Sequence, residues 1–255
     1  LIRREKEGGI KVNYEEKAKE LARLVRAGDV VIFSGAGLST ESGLQDFRSK
    51  NGIWAHADPA RLASVGALEC NYDEFLEFYK ARLYVPDEVK PNIGHKIVAK
   101  WEKEGYVKGV ITQNIDRLHQ RAGSVNVWEL HGSLEPIKCH SCGKPGSNED
   151  FLAGTPCKYC GGHLRPSVVL FGEMLPQRAL EAADELSDSC KTFIVLGSSL
   201  VVSPANYFPR QAKMHGAKLA IVNLEETPLD GIADITVHEG IGAFLSDTEK
   251  YMRQQ

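Results

Sequence analysis

The sequence predicts an α/β protein in which a mostly parallel sheet carries helices on both faces. Three observations lead there. Short apolar runs rich in β-branched residues recur at Val30 to Phe33, Val107 to Ile111, Val125 to Leu130, Thr192 to Leu196 and Leu219 to Val222, and runs of this kind mark strands buried on both faces. Segments with helical periodicity separate them, as the crossovers of parallel strands require. Each run also ends in glycine or polar residues, in turn S-G-A-G, T-Q-N-I-D, H-G, G-S-S and N-L-E. Ligands of open α/β sheets bind outside the carboxyl ends of the strands, so these endings mark the expected site.

Taken in order, residues 1–12 are charged and glycine-containing and are expected to form a peripheral lead-in. Asn13 stands three residues before Glu16, a capping-box-like start, and Ala18, Leu21, Ala22 and Val25 share one face of a helix closed by Gly28. The first strand then runs into Ser34-Gly35-Ala36-Gly37, whose small residues let backbone N–H groups approach an anion, with Ser39 as the expected cap of a following helical turn. The spacing departs from the ordinary dinucleotide fingerprint, because position 40 is Thr and the third glycine is Gly43. On the glycines alone, a tight strand-to-helix turn without a ligand reads equally well.

From Ser49 to about Pro91 the pattern suggests a helical insertion, with its main helix over Asp73 to Leu83 and Tyr79 and Arg82 on one face of it. A helix over Gly94 to Glu104 precedes the second strand, and another over about Pro204 to His215 precedes the last.

The 255 residues are 42% hydrophobic and 25% charged, enough to bury a sizeable core, and the net charge of -3 gives no basic field for a nucleic acid. No run reaches membrane-spanning length and no signal peptide is evident, so a cytoplasmic protein without a membrane partner, and a monomer, is expected. Cys139-x-x-Cys142 and Cys157-x-x-Cys160 are separated by the fourteen residues Gly143 to Pro156, a zinc-ribbon spacing. Four thiolates close a tetrahedral shell around one zinc and leave no position for water, so the site is structural. His140 and His163 neighbour these thiols and are read as solvent-facing, while Cys70 and Cys190 are expected as buried free thiols.

With these motifs in order, the chain resembles the sirtuins, the NAD-dependent protein deacylases. The resemblance covers about Ala18 to Tyr251 and rests on S-G-A-G-L-S-T-E-S-G at Ser34 to Gly43, D-F-R at Asp46 to Arg48, T-Q-N-I-D at Thr112 to Asp116, E-L-H-G-S at Glu129 to Ser133, L-R-P-S-V-V-L-F-G-E at Leu164 to Glu173, G-S-S-L at Gly197 to Leu200 and V-N at Val222 to Asn223. It implies a Rossmann-like NAD-binding domain from residues 1–48, 93–134 and 168–255. A small domain would comprise the helical insertion 49–92 and the zinc ribbon 135–167. Two positions depart from the family pattern: Gln45 stands where Pro is usual, which removes a constraint on φ, and Arg117 where Gly is frequent.

The resemblance implies a role for each site residue. His131 is the general base that deprotonates a ribose hydroxyl, a task suited to a group titrating near neutrality. Asn114 and Asp116 hold the nicotinamide amide with Ile115 as packing, and Gln113 reaches the ribose hydroxyls. Gly35, Ala36, Gly37, Ser39, Asp46 and Arg48 belong to the cofactor loop, and Phe47 screens the reactive sugar carbon. Gly197, Ser198, Ser199, Asn223, Leu224, Glu225 and Ile241 hold the adenosine half. An extended acyl-lysine peptide adds between Val168, Val169, Phe171, Gly172 and Glu173 on one edge and Val201 and Val202 on the other.

Ala63, Tyr79 and Arg82 match the positions that receive the acyl carboxylate in the class favouring succinyl- and malonyl-lysine. A helix-surface Tyr and Arg, paired with Glu77 or Asp73, is the plain alternative. Two other functions fit the same motifs: an NAD-dependent protein ADP-ribosyltransferase, and a non-catalytic module that senses NAD while its zinc ribbon binds a partner. Nucleic acid would be met only through a protein substrate.

Overall fold

The computed structural model describes residues 2–83 and 89–254. Its frame is a six-stranded sheet, all parallel, in the order β3-β2-β1-β6-β7-β8. The strands are β1 (Val30–Ser34), β2 (Val107–Thr112), β3 (Val127–Glu129), β6 (Thr192–Leu196), β7 (Lys218–Val222) and β8 (Ile235–Val237). A separate antiparallel pair is formed by β4 (Gly132–Cys139) and β5 (Leu164–Val168).

Period-two alternation divides the strand residues between two cores. Val30, Ile32, Ile194, Leu196, Ala220 and Val222 face one side, under α1 (Ile2–Arg26), α5 (Ile93–Lys103) and α10 (Ile241–Arg253). Val31, Phe33, Phe193, Val195, Leu219 and Ile221 face the other, under α8 (Gln177–Ser189) and α9 (Tyr207–Met214). All five residues of β1 and of β6 are buried, which is why they read as unbroken apolar runs. The first helix begins at Ile2, well ahead of the Asn13 capping box, so residues 2–12 belong to α1 and are no separate lead-in. β3 is shorter than its apolar run, because Val125 is exposed and lies outside the strand.

The remaining elements share a third core. α2 (Pro59–Leu62), α3 (Val65–Cys70) and α4 (Tyr72–Leu83) follow β1, and α7 (Asn148–Leu152) lies between β4 and β5. Ala67, Leu68, Phe75 and Leu76 pack there with Leu134, Ile137, Phe151 and Leu164, so insertion and ribbon bury their apolar faces against each other. The short α6 (Leu118–Ala122) follows β2. Cys190 is buried as expected, whereas Cys70 is exposed at the end of α3.

Candidate active site

The polar endings of β1, β2, β6 and β7 meet around a cleft of about 670 Å³, within the usual size for a small-molecule site. No α-helix follows β1 directly. Two 3-10 turns, Ala36–Leu38 and Thr40–Ser42, carry the chain away. Ser39 precedes the second but does not cap it. Its hydroxyl donates to Asp116 Oδ2 at 2.7 Å and lies 3.2 Å from the Asn114 amide nitrogen, which also donates to Gly35 O at 3.0 Å.

The glycines serve loop packing more than ligand approach. Gly35 N–H donates to Leu196 O and Gly37 N–H to Gly197 O, at 3.0 and 2.9 Å. A Cβ on Gly35 would meet Gly197 O at 2.7 Å, and one on Gly37 would meet Gly197 Cα at 2.8 Å. The turns after β1 and β6 therefore touch backbone to backbone, and among the described residues Ala36 N–H is left without a backbone partner at the wall of the cleft.

Beyond β2, Gln113 is held on three sides. Its N–H donates to Ser34 O at 2.9 Å, its side-chain Oε1 accepts from Ser198 at 2.9 Å, and its carbonyl accepts from His131 Nδ1 at 3.0 Å. Its Nε2 is buried with no partner, a donor aimed at nothing the described chain supplies. Because a carbonyl can only accept, Nδ1 of His131 carries the proton and Nε2 keeps its lone pair. Burial, helped by the Arg48 charge and opposed by the Gln113 hydrogen bond, holds the His131 pKa below the usual histidine value. Asp116 accepts from Ser39 and from Leu118 N–H, and burial raises its carboxyl pKa.

The loop carrying Asp46, Phe47 and Arg48 closes on itself. Asp46 Oδ1 accepts from the N–H groups of Arg48 and Ser49, and Gln45, in place of proline, donates its amide to Asn51 O at 2.6 Å. The Phe47 ring packs on Trp54 at 5.4 Å.

Most of the expected residues line the cleft: Ala36, Gly37, Asp46, Phe47, Arg48, Gln113, Asn114, Ile115 and His131; Gly197, Ser198, Ser199, Asn223, Leu224, Glu225 and Ile241; and Ala63, Tyr79, Val168, Val169, Phe171, Gly172, Glu173 and Val202. Gly35, Ser39, Asp116, Arg82 and Val201 are not on its wall. Gly35, Ser39 and Asp116 stand behind it through the bonds just described. Val201 is exposed. Arg82 lies with its guanidinium 3.4 Å from the Phe78 ring centroid, and its Nη1 donates to Phe78 O at 2.6 Å; neither Glu77 nor Asp73 pairs with it. Burial lowers its pKa to about 10, so it stays charged at neutral pH.

Trp54, outside every motif, and Glu41, inside the first motif but given no role there, also line the cleft. Trp54 stands inside the insertion, with its ring between those of Phe47 and Phe78 at 5.4 and 5.5 Å. Glu41 accepts from Gly242 N–H at the start of α10, a contact between residues far apart in sequence.

Away from the cleft, the Sγ atoms of Cys139, Cys142, Cys157 and Cys160 lie within 4.8 Å of one another. The Cys139–Cys160 and Cys142–Cys157 separations are 3.5 and 3.7 Å. A tetrahedron with zinc–sulfur bonds of about 2.3 Å has edges of about 3.8 Å, so the four thiolates fit one closed, structural zinc. His140 faces Glu69 and His163 stacks on Tyr72, and neither joins the thiols.

A family model described as Sir2 family matches residues 35–204. An NAD-dependent protein deacetylase of Oceanobacillus iheyensis is 50% identical over 217 residues, covering 84% of this chain and 92% of that protein. A structure solved for the mechanism and regulation of Sir2 enzymes superposes with a TM-score of 0.88 at 42% identity, covering 94% of this chain and 100% of that one. A Sir2 complex with a p53 peptide and NAD+ superposes with a TM-score of 0.81 at 40% identity, over 91% and 96% of the two chains. The chain belongs to the Sir2 family.

Proposed function

We propose that the cleft removes acyl groups from protein lysines at the expense of NAD, and that it takes succinyl and malonyl groups as well as acetyl. NAD and one water are consumed, and the products are nicotinamide, free lysine and O-acyl-ADP-ribose. NAD supplies a bond between nicotinamide and ribose whose cleavage leaves the sugar carbon electrophilic toward the acyl oxygen. The residues present fit that group: Ala36 N–H and the Arg48 cation suit its phosphates, and the orphaned Gln113 Nε2 suits a ribose hydroxyl.

The observation that carries the reading is His131. A neutral imidazole whose Nδ1 proton is committed to Gln113 O presents Nε2 as a base at neutral pH. Asn114, on the cleft wall, is the residue suited to the nicotinamide amide, and Asp116 supports it from behind through their shared partner Ser39. Phe47 shields the sugar carbon from water. The two domains implied by the motifs find support in the cores, since the insertion and ribbon share one that is separate from the two flanking the parallel sheet.

Acid-acyl recognition rests on Tyr79, buried at the cleft wall beside Ala63, with the charged Arg82 one helical turn on. Arg82 meets a carboxylate only after leaving its place on Phe78. Mass analysis of the products, over acetyl-, malonyl- and succinyl-lysine peptides with and without NAD, tests the proposal. Acyl-ADP-ribose with free lysine is expected; a protein bearing ADP-ribose would overturn the deacylase reading. Arg82→Met should lower succinyl-lysine turnover far more than acetyl-lysine turnover, and equal losses would remove the acid-acyl part.

A further inference from the structure

Arg165 is 2% exposed, one of the largest fully buried side chains, and none of its side-chain hydrogen bonds goes to a zinc-site cysteine or to the cofactor loop. Its guanidinium is spent on one short segment. Nη1 and Nη2 donate to the two carboxylate oxygens of Glu173 at 2.5 and 2.9 Å, Nη2 also donates to Val168 O at 2.5 Å, and Nε donates to Pro166 O at 3.1 Å. Glu173 Oε2 in turn accepts from Leu170 N–H at 2.8 Å. The planar fork of an arginine is the side chain that can hold a carboxylate and two carbonyls at once, and burial makes such bonds directional.

The result is a fixed turn. Glu173 N–H donates to Leu170 O at 2.9 Å, and Gly172 at φ +98 takes the third position that a type II turn reserves for glycine. The outer flank is pinned as well, by Val169 N–H on His131 O and by Phe171 paired with Ala63 and Val65. Among the described residues this leaves Val169 C=O and both backbone groups of Gly172 without a backbone partner, and both residues line the cleft. Backbone groups held out of pairing in this way are what an added strand requires.

We propose that Arg165 is a positioning residue for the acyl-lysine peptide: through Glu173 it shapes the Leu170–Glu173 turn so that Val169 and Gly172 present their free backbone groups to the incoming strand. The inference rests on the deacylase reading given above. It places the determinant of peptide binding in β5, where Leu164, the neighbour of Arg165, pairs with the zinc-binding Cys139.

The experiment measures KM for an acetyl-lysine peptide, KM for NAD and kcat in wild type, Arg165→Met and Arg165→Lys. Arg165→Met should raise the peptide KM about tenfold or more while kcat and the NAD KM stay within about twofold, the pattern of lost uniform binding. Arg165→Lys should recover part of the loss, because an ammonium restores the charge but not the fork. A purely structural role would lower kcat and weaken both substrates together, and that result, or an unchanged peptide KM, overturns the proposal. If Arg165→Met fails to fold, Arg165→Lys decides: a selective rise in peptide KM supports the proposal, and unchanged values overturn it. A wild-type protein that forms no acyl-ADP-ribose would overturn the deacylase reading itself, an outcome distinct from an active enzyme indifferent to Arg165.

Discussion

β1 and β6, at the centre of the parallel sheet, pair residue for residue and bury every side chain between two layers of helix. β4 and β5 pair over Ile137 to Cys139 and again at Gly132, with a shifted register between. One region is held by apolar burial on both sides. The other has a single core, a thiolate cluster and a chain of rings running from His163 through Tyr72, Phe75, Tyr79, Phe78 and Trp54 to Phe47, each pair between 3.8 and 6.0 Å. The proposed cofactor and peptide sites therefore draw on unequal supports, the first on the carboxyl edge of the parallel sheet and the second on a turn held by Arg165 of β5.

Metal removal should expose the inequality most strongly. Structural zinc contributes about 10–16 kcal/mol of apparent binding free energy in small zinc domains, more than the whole net stability of many proteins. Chelation should abolish peptide turnover and hydrogen-exchange protection in β4 and β5, while β1, β2 and β6 stay protected. Uniform loss of protection across both regions would show that the two are one cooperative unit.

His131→Ala probes the sheet side of the comparison. Loss of a general base costs about 10²–10⁴-fold in turnover, and NAD binding measured by titration should persist because the side chain bonds only to Gln113 O. As the proposed base, His131 works unprotonated, and burial holds its pKa below the usual value, so the acid limb of wild-type kcat/KM should fall below pH 6.5. An acid limb above that value would contradict the assignment.

How much of this was legible in the sequence follows the same division. Strands buried on both faces announce themselves as apolar runs, so β1, β2, β6 and β7 stand where the pattern puts them. β8 has three residues, too few for a period, and α8 turns small residues, Ala179 and Ala183, to the core, which gives little contrast. In the site, residue types and spacing point to His131 and the Gln113 to Asp116 segment, which the structure brings to the cleft with Asp116 behind its wall, and to the thiolates, which it gathers into one cluster. They do not reveal that Gly35 and Gly37 serve contact with Gly197, or that Ser39 braces Asp116, because such contacts join segments far apart in the chain. Gln45 is similar, since its bond to Asn51 depends on how the loop folds back.

A smaller effect lies under the sheet edge. His95 and His119 are fully buried with their rings 5.0 Å apart, and burial lowers their pKa values to about 4 and about 3, the neighbouring His95 adding to the shift of His119. Both stay neutral in the folded protein while the unfolded chain protonates them near pH 6.5. A folded pKa below the unfolded one means that the unfolded state binds more protons as pH falls, so stability declines from about pH 6.5 down toward pH 4. The loss between pH 7 and 5 should be on the order of 3 kcal/mol for the pair, read from urea midpoints. Asp29 and Asp234, lowered to about 2 by their lysine partners, act only below that window, whereas the raised carboxyls of Asp116 and Glu129 oppose the loss, so the pair is read against His119→Gln, and an equal midpoint shift in both proteins would contradict the buried neutral pair.

The smallest effect separates strain from packing at that edge. Arg117 sits at φ 60 before α6, exposed and making no capping bond, in the left-handed region that glycine occupies freely. An L-residue there costs about 1–2 kcal/mol, and glycine returns about 0.4–1 kcal/mol of that as added unfolded-state entropy. Arg117→Gly should therefore stabilise by about 0.5–1 kcal/mol, a rise in Tm of about 1–4 °C for a domain of this size. Leu200, at φ 54 and buried after β6, is the control. Leu200→Gly relieves the same strain but loses a buried side chain worth about 2–5 kcal/mol, so its Tm should fall. A fall for both would mean that Arg117 contributes contacts outweighing its backbone strain, and the sheet edge would then owe its shape to side chains as much as to the strands beneath it.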